Sequence, residues 1–156
     1  MPDCFISYSS NDEGLASFVR DELQRLNVDV FMASASVRPG ERWSPAILAA
    51  LANSGWVLLL ASRAASRSAY VNQEIGVALA GSKRLIPVVW DMSPAEIPGW
   101  AAGFQALDLR GSTLEALRQQ LVAIAQQIHQ DKSKGWLILG ALVLGMFAVA
   151  SHGEHP

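Results

Sequence analysis

A doubly wound α/β sheet, with parallel strands covered by helices on both faces, is the fold class this sequence predicts. Three observations predict it. Short, apolar, partly β-branched runs recur along the first 110 residues and read as buried strands. Between them lie segments with apolar residues at three- and four-residue steps, which read as helices packing one face on a core. The two kinds alternate, and alternation calls for a parallel sheet between helical layers.

Taken in order, residues 4–8 (Cys-Phe-Ile-Ser-Tyr) form the first strand, ending in the polar loop Ser9-Ser10-Asn11-Asp12. Leu15, Phe18, Val19, Leu23 and Leu26 then mark one face of an amphipathic helix, capped by Asp12 or a neighbouring Ser or Asn. Residues 28–32 are the second strand. Residues 33–43 hold Arg38-Pro39-Gly40, where proline beside glycine stops helix and strand alike, so this is a long loop of the kind that usually carries function. Ser44-Pro45 opens a helix to about residue 52, with proline suited to its first turn. Residues 56–61, Trp-Val-Leu-Leu-Leu-Ala, are apolar throughout, as a central strand is. Ser68 caps a helix over 69–80, closed by Gly81. Residues 85–90 are a fourth strand, 91–103 a loop, 105–109 a weak fifth strand and 114–128 a last amphipathic helix. Five strands so wound give the flavodoxin-like order 2-1-3-4-5, whose ligands sit at the strand carboxyl ends between the first and third strands. Tyr8 to Asp12 and Ala61 to Glu74 border that place.

The 156 residues carry a formal charge of -2 and are 51% hydrophobic. That excludes a disordered chain and a broad basic surface for nucleic acid. One cysteine, Cys4, closes no internal disulfide and builds no thiolate metal site; it reads as a small core residue. The first residues lack a secretory pattern. Much of the apolar excess lies at one end. Residues 135–150 contain no charge and are apolar all round, which suits a membrane-spanning helix more than a buried one, near the lower length limit of about 17 residues. Lys132 and Lys134 precede it and no Lys or Arg follows, so residues 1–134 are expected in the cytoplasm, with Trp136 at the interface. The expected organisation is a domain over 1–130, a basic linker over 131–135, a membrane helix over 136–151 and an external tail over 152–156. Ala141 and Gly145 form one small-xxx-small pair. His152 and His155 are too isolated to be read as a metal site.

Several chemistries are excluded at the switch point. The first and third strands end in Ser7-Tyr8-Ser9 and Ala61-Ser62, not in the acids a phosphoryl-accepting receiver needs. No GxGxxG or GxxxxGK[ST] loop exists, no glycine follows the first strand for a flavin-phosphate loop, and no histidine precedes His129 for a serine triad. One carboxylate remains. Glu74 shares a helical face with Tyr70, four residues earlier, and Ser68, six residues before Glu74, is placed to donate a hydrogen bond toward it. A helical glutamate is ordinarily a solvated charge, but Val71, Ile75 and Val77 set this one near the rim of the sheet.

The stretch Phe5-Ile6-Ser7-Tyr8-Ser9-Ser10-Asn11-Asp12 resembles the first box of Toll/interleukin-1 receptor (TIR) domains, Arg38-Pro39-Gly40 their second box, and residues 68–74 the serine–aromatic–glutamate segment of NAD-cleaving members. The resemblance covers about residues 1–130 and is nearest to bacterial members. Two positions depart from it: Ala33-Ser34 stand where an acid is often found, and Tyr70 replaces the usual tryptophan. It implies either cleavage of the nicotinamide–ribose bond of NAD+, used as substrate with no cofactor or metal, or a non-catalytic module assembling through TIR–TIR contacts. For the enzyme, it implies Glu74 as the catalytic carboxylate, Tyr8, Ser9 and Ser10 lining the nicotinamide end, and Ser68 orienting Glu74. Trp43 either stacks on a flat ring or covers the core, and Arg38 either meets a phosphate or faces water. Immune defence or cell suicide is the role the family suggests, and self-association a condition for activity.

Overall fold

The computed structural model describes residues 1–34, 44–67, 83–97 and 103–151, with side chains up to 135 apart from that of residue 34. Strands β1 (Cys4–Tyr8), β2 (Val30–Ser34), β3 (Trp56–Leu60), β4 (Arg84–Val89) and β5 (Leu107–Asp108) form one sheet of order β2-β1-β3-β4-β5. Every pairing is parallel. Helices α1 (Glu13–Arg25), α2 (Pro45–Asn53), α3 (Arg63–Ser66) and α4 (Leu114–Ser151) alternate with the strands or follow them. The strand order is the one the alternation predicts.

β1 and β3 are buried at every position, as strands covered on both faces must be. Phe5, Val57 and Leu59 join Ala50 and Leu51 of α2 in one core layer. Cys4, Ile6, Tyr8, Leu58 and Leu60 join Val19 and Leu23 of α1 and Leu117, Leu121 and Ile128 of α4 in the other. The period-two alternation of strand side chains produces this division. Cys4 is a core residue, fully buried, as its apolar setting predicts.

The helix ends have identifiable causes. Asn27 adopts φ 61, and the Asn27 and Val28 amides donate to the carbonyls of Gln24 and Leu23. This Schellman turn stops α1 and moves the start of β2 two residues beyond the expected 28. The Ser44 hydroxyl accepts the Ile47 amide, with Pro45 at the first position, so α2 starts where Ser-Pro predicts. The first loop differs from expectation. It forms a 3-10 turn over Ser10–Asp12, capped by Ser9, and Asp12 precedes α1 without a side-chain capping bond.

β5 pairs with β4 only at Val88 and Val89, shorter than the expected 105–109. Pro87 has no amide to donate, and the pairing begins one residue after it. The largest difference is at the C-terminus, where α4 runs unbroken from 114 to 151. The segment 131–135, expected as a linker, is helical. Among the described residues no helix is long and apolar enough to cross a membrane. The side chains of 136–151, where the sequence sets the span, lie outside the described residues.

Candidate functional site

The strand order brings the end of β1 beside the end of β3, and the contacts there join three loops. The Ser62 hydroxyl, on a residue only 2% exposed, donates to the Asp12 carboxylate at 2.6 Å. The same oxygen accepts the Ala65 amide at 3.2 Å and so caps α3. One side chain thereby satisfies a helix terminus and links the residue after β3 to the loop after β1. On the other flank, the Asp91 carboxylate after β4 accepts the Arg63 amide at the start of α3, a favourable position for an anion. Arg63 also pairs with Glu96 at 3.7 Å, and the Ser66 hydroxyl meets the Met92 sulfur. The loops after β1, β3 and β4 are therefore held together by acids reaching across the strand ends.

Of the residues the sequence analysis singled out, Tyr8, Ser9 and Ser10 are described. Tyr8 ends β1, and its ring belongs to the core layer beneath α1 and α4, so little of it is left at the surface of the strand ends. Ser9 is nearly buried, and its hydroxyl accepts the Asn11 amide at 3.4 Å. Ser10 is exposed in the 3-10 turn. Arg38, Trp43, Ser68, Tyr70 and Glu74 lie outside the described residues, as does the expected helix over 69–80.

Two features went unseen in the sequence. Asp12 read as a helix cap, yet its carboxylate serves a partner 50 residues away in the chain. Ser7 is fully buried and its hydroxyl has no hydrogen-bond partner among the described residues. It lies on β1 beside Ala33 and Leu59, on the Phe5 side of the sheet. A lone serine inside an apolar run was the available signal, because an orphaned buried hydroxyl costs stability and calls for a reason. Among the described residues no cluster of His, Cys, Asp and Glu suits a metal ion. A groove of 720 Å³ lies near the opposite end of the strands, between the starts of β4 and β5 and helix α4, with Trp56, Arg84, Phe104, Gln120 and Gln127 in its walls.

An all-parallel 2-1-3-4-5 sheet with polar side chains gathered at its β1–β3 switch point defines a flavodoxin-like α/β protein, a class whose ligands sit in the crevice at that point. Comparison with known proteins narrows the class. The TIR domain family matches residues 4–122, and the chain belongs to that family. Solved structures agree in fold. The TIR domain of the Toll-related receptor TRR-2 from Hydra magnipapillata is 20% identical, with 78% of this chain and 98% of that one covered at a TM-score of 0.56. The TIR domains of the activated Roq1 resistosome, which directly recognizes the pathogen effector XopQ, are 17% identical over 84% of this chain and 99% of that one, at 0.60. The RPS4 and RRS1 TIR domain heterodimer gives 12% identity, 81% and 95% coverage, and 0.54. No curated protein matches.

Proposed function

We propose that this TIR domain is an NAD+ nucleosidase, tethered to a membrane by residues 136–151 and activated when it pairs with a second TIR domain. The observation that carries the reading is the Asp12–Ser62 hydrogen bond. It fastens the residues after β1 to the start of the segment that runs on to Ser68, Tyr70 and Glu74, the serine–aromatic–glutamate series resembling that of NAD-cleaving members.

The chemistry asks little of the protein. The bond between the ribose anomeric carbon and the nicotinamide nitrogen breaks, and its electron pair returns to a ring that leaves neutral. No general acid is needed. The ribose passes through an oxocarbenium-like state, as in sugar hydrolysis. A single carboxylate, Glu74, binds the ribose hydroxyls and stabilises the developing positive charge. Water, or a nucleophilic atom of the same ADP-ribose, then adds to the anomeric carbon and loses a proton, giving a linear or a cyclic product. Ser9 and Ser10 border the nicotinamide end, Ser68 orients Glu74, and Arg38 and Trp43 serve the phosphate and ring ends.

Two of the structural relatives are TIR domains in assemblies, a resistosome and a heterodimer. They support pairing and favour a second reading in which the chain only recruits other TIR domains. Incubating the concentrated protein with NAD+ and resolving products by mass spectrometry separates the two. The enzyme releases nicotinamide, and both Glu74→Ala and Glu74→Gln abolish the release. Pairing with no nicotinamide at any concentration refutes catalysis and leaves the recruiting module.

A further inference from the structure

Helix α4 does not hang from the domain by a flexible stalk. Leu117, Leu121, Ile124 and Ile128 pack it on the sheet, and four polar contacts from three residues then hold its next turn. The His129 ring nitrogen Nε2 meets the Leu26 carbonyl at 2.8 Å. The Asp131 carboxylate accepts the Trp56 indole N–H at 3.2 Å and pairs with Arg84 at 3.2 Å, whose guanidinium lies over the same indole ring, 5.1 Å from its centroid. Lys132 pairs with Asp3 at 2.9 Å, and Asp3 also accepts the Asp29 amide. Asp3 and Asp29 stand immediately before β1 and β2, Trp56 and Arg84 are the first residues of β3 and β4, and Leu26 lies in the turn that leads to β2. They make up the floor of the sheet, at the amino ends of the strands.

From this floor the helix continues without a break into the apolar segment. At about 1.5 Å per residue, Asp131 stands only about 7–8 Å before Trp136. The polar layer of one leaflet is about 5–7 Å thick. We infer that the floor of the sheet rests on the phospholipid headgroups, with the β1–β3 crevice at the far side of the domain. The inference rests on the membrane tether of the proposed function. It adds the surface that meets the lipid and the direction in which the candidate site faces.

The charge on this surface suits such a contact. Asp3 and Asp131 are each neutralised by a base, and Lys83, Arg84, Lys132 and Lys134 outnumber Asp3, Asp29 and Asp131. Basic groups beside a membrane helix are attracted to anionic headgroups. Substrate then enters from the aqueous side, and a partner TIR domain is presented side by side, because every tethered copy stands on the same floor.

Two glycines at opposite ends of the sheet provide the test. Gly55 precedes β3 at the floor and Gly14 follows β1 in the first turn of α1. Both are exposed, and a Cβ at either meets nothing within 4 Å. The full chain carrying Gly55→Cys or Gly14→Cys, each in a Cys4→Ala background, is labelled with a fluorophore and reconstituted in vesicles whose lipids bear a headgroup nitroxide. Carbonate extraction of the same vesicles reports the tether separately. The expected result is a carbonate-resistant protein whose label at 55 is quenched several-fold more than that at 14. A flexible Gly-Ser insertion after Lys134 then removes the difference while the protein stays resistant. Equal quenching in a carbonate-resistant protein overturns the inference and leaves the tether. Extraction by carbonate overturns the tether and the inference with it.

Discussion

Replacing Ser62 with alanine removes two interactions from one buried oxygen: the 2.6 Å bond to Asp12 and the 3.2 Å cap on the Ala65 amide. A hydrogen bond to a charged group contributes about 1.5–3 kcal/mol, and an N-cap hydroxyl about 1 kcal/mol. Ser62→Ala is therefore expected to cost about 3 kcal/mol. Asp12→Ala leaves the cap in place and costs about 2 kcal/mol by the same scale. The cap belongs to one variant only, so a double-mutant cycle isolates the bridge, with an expected coupling of about 1.5 kcal/mol. Urea unfolding of the wild type, the two single variants and the double variant measures it, and a domain stable by about 5–15 kcal/mol keeps all four folded. Additivity within about 0.3 kcal/mol refutes the reasoning: the bond would then contribute nothing to joining the loops after β1 and β3.

Other expectations follow from the two unusual groups of β1. Burial pushes the Cys4 thiol from 9.0 up to about 12. A folded value above the unfolded one contributes stability that is whole below pH 9 and is lost as the pH climbs toward 12, at about 1.4 kcal/mol per unit. Urea midpoints between pH 8 and 10.5 should fall in the wild type and flatten in Cys4→Ala; parallel slopes refute the assignment. Removing the Ser7 hydroxyl, which is unpartnered among the described residues, should leave the fold intact or stabilise it by about 1 kcal/mol. A loss of more than about 2 kcal/mol in Ser7→Ala would mean that the hydroxyl is satisfied after all.

Part of the fold is legible in the residues themselves. The five apolar runs and the helical periodicities between them predict the sheet and its order, because one-dimensional patterning records which faces are buried. Ser44-Pro45 announces the start of α2, and the apolar setting of Cys4 announces its burial. For the candidate site the residues suggest side-chain types and a position at the strand ends. The described structure locates Tyr8, Ser9 and Ser10 there, while Arg38, Trp43, Ser68, Tyr70 and Glu74 lie outside the described residues.

What only the tertiary structure decided are the pairings between groups far apart in the chain. Asp12 has the sequence context of a helix cap, but the β1–β3 adjacency sets Ser62 within reach, and its hydroxyl binds the carboxylate. Residues 131–135 are polar and basic enough to read as a linker, yet Trp56, Arg84 and Asp3 occupy the floor where Asp131 and Lys132 arrive, and the helix continues. β5 is short because its neighbour carries Pro87 where a donor is missing. Periodicity encodes burial, which is a property of each segment; a hydrogen bond between loops depends on where the backbone brings two segments together, and no segment contains that information alone.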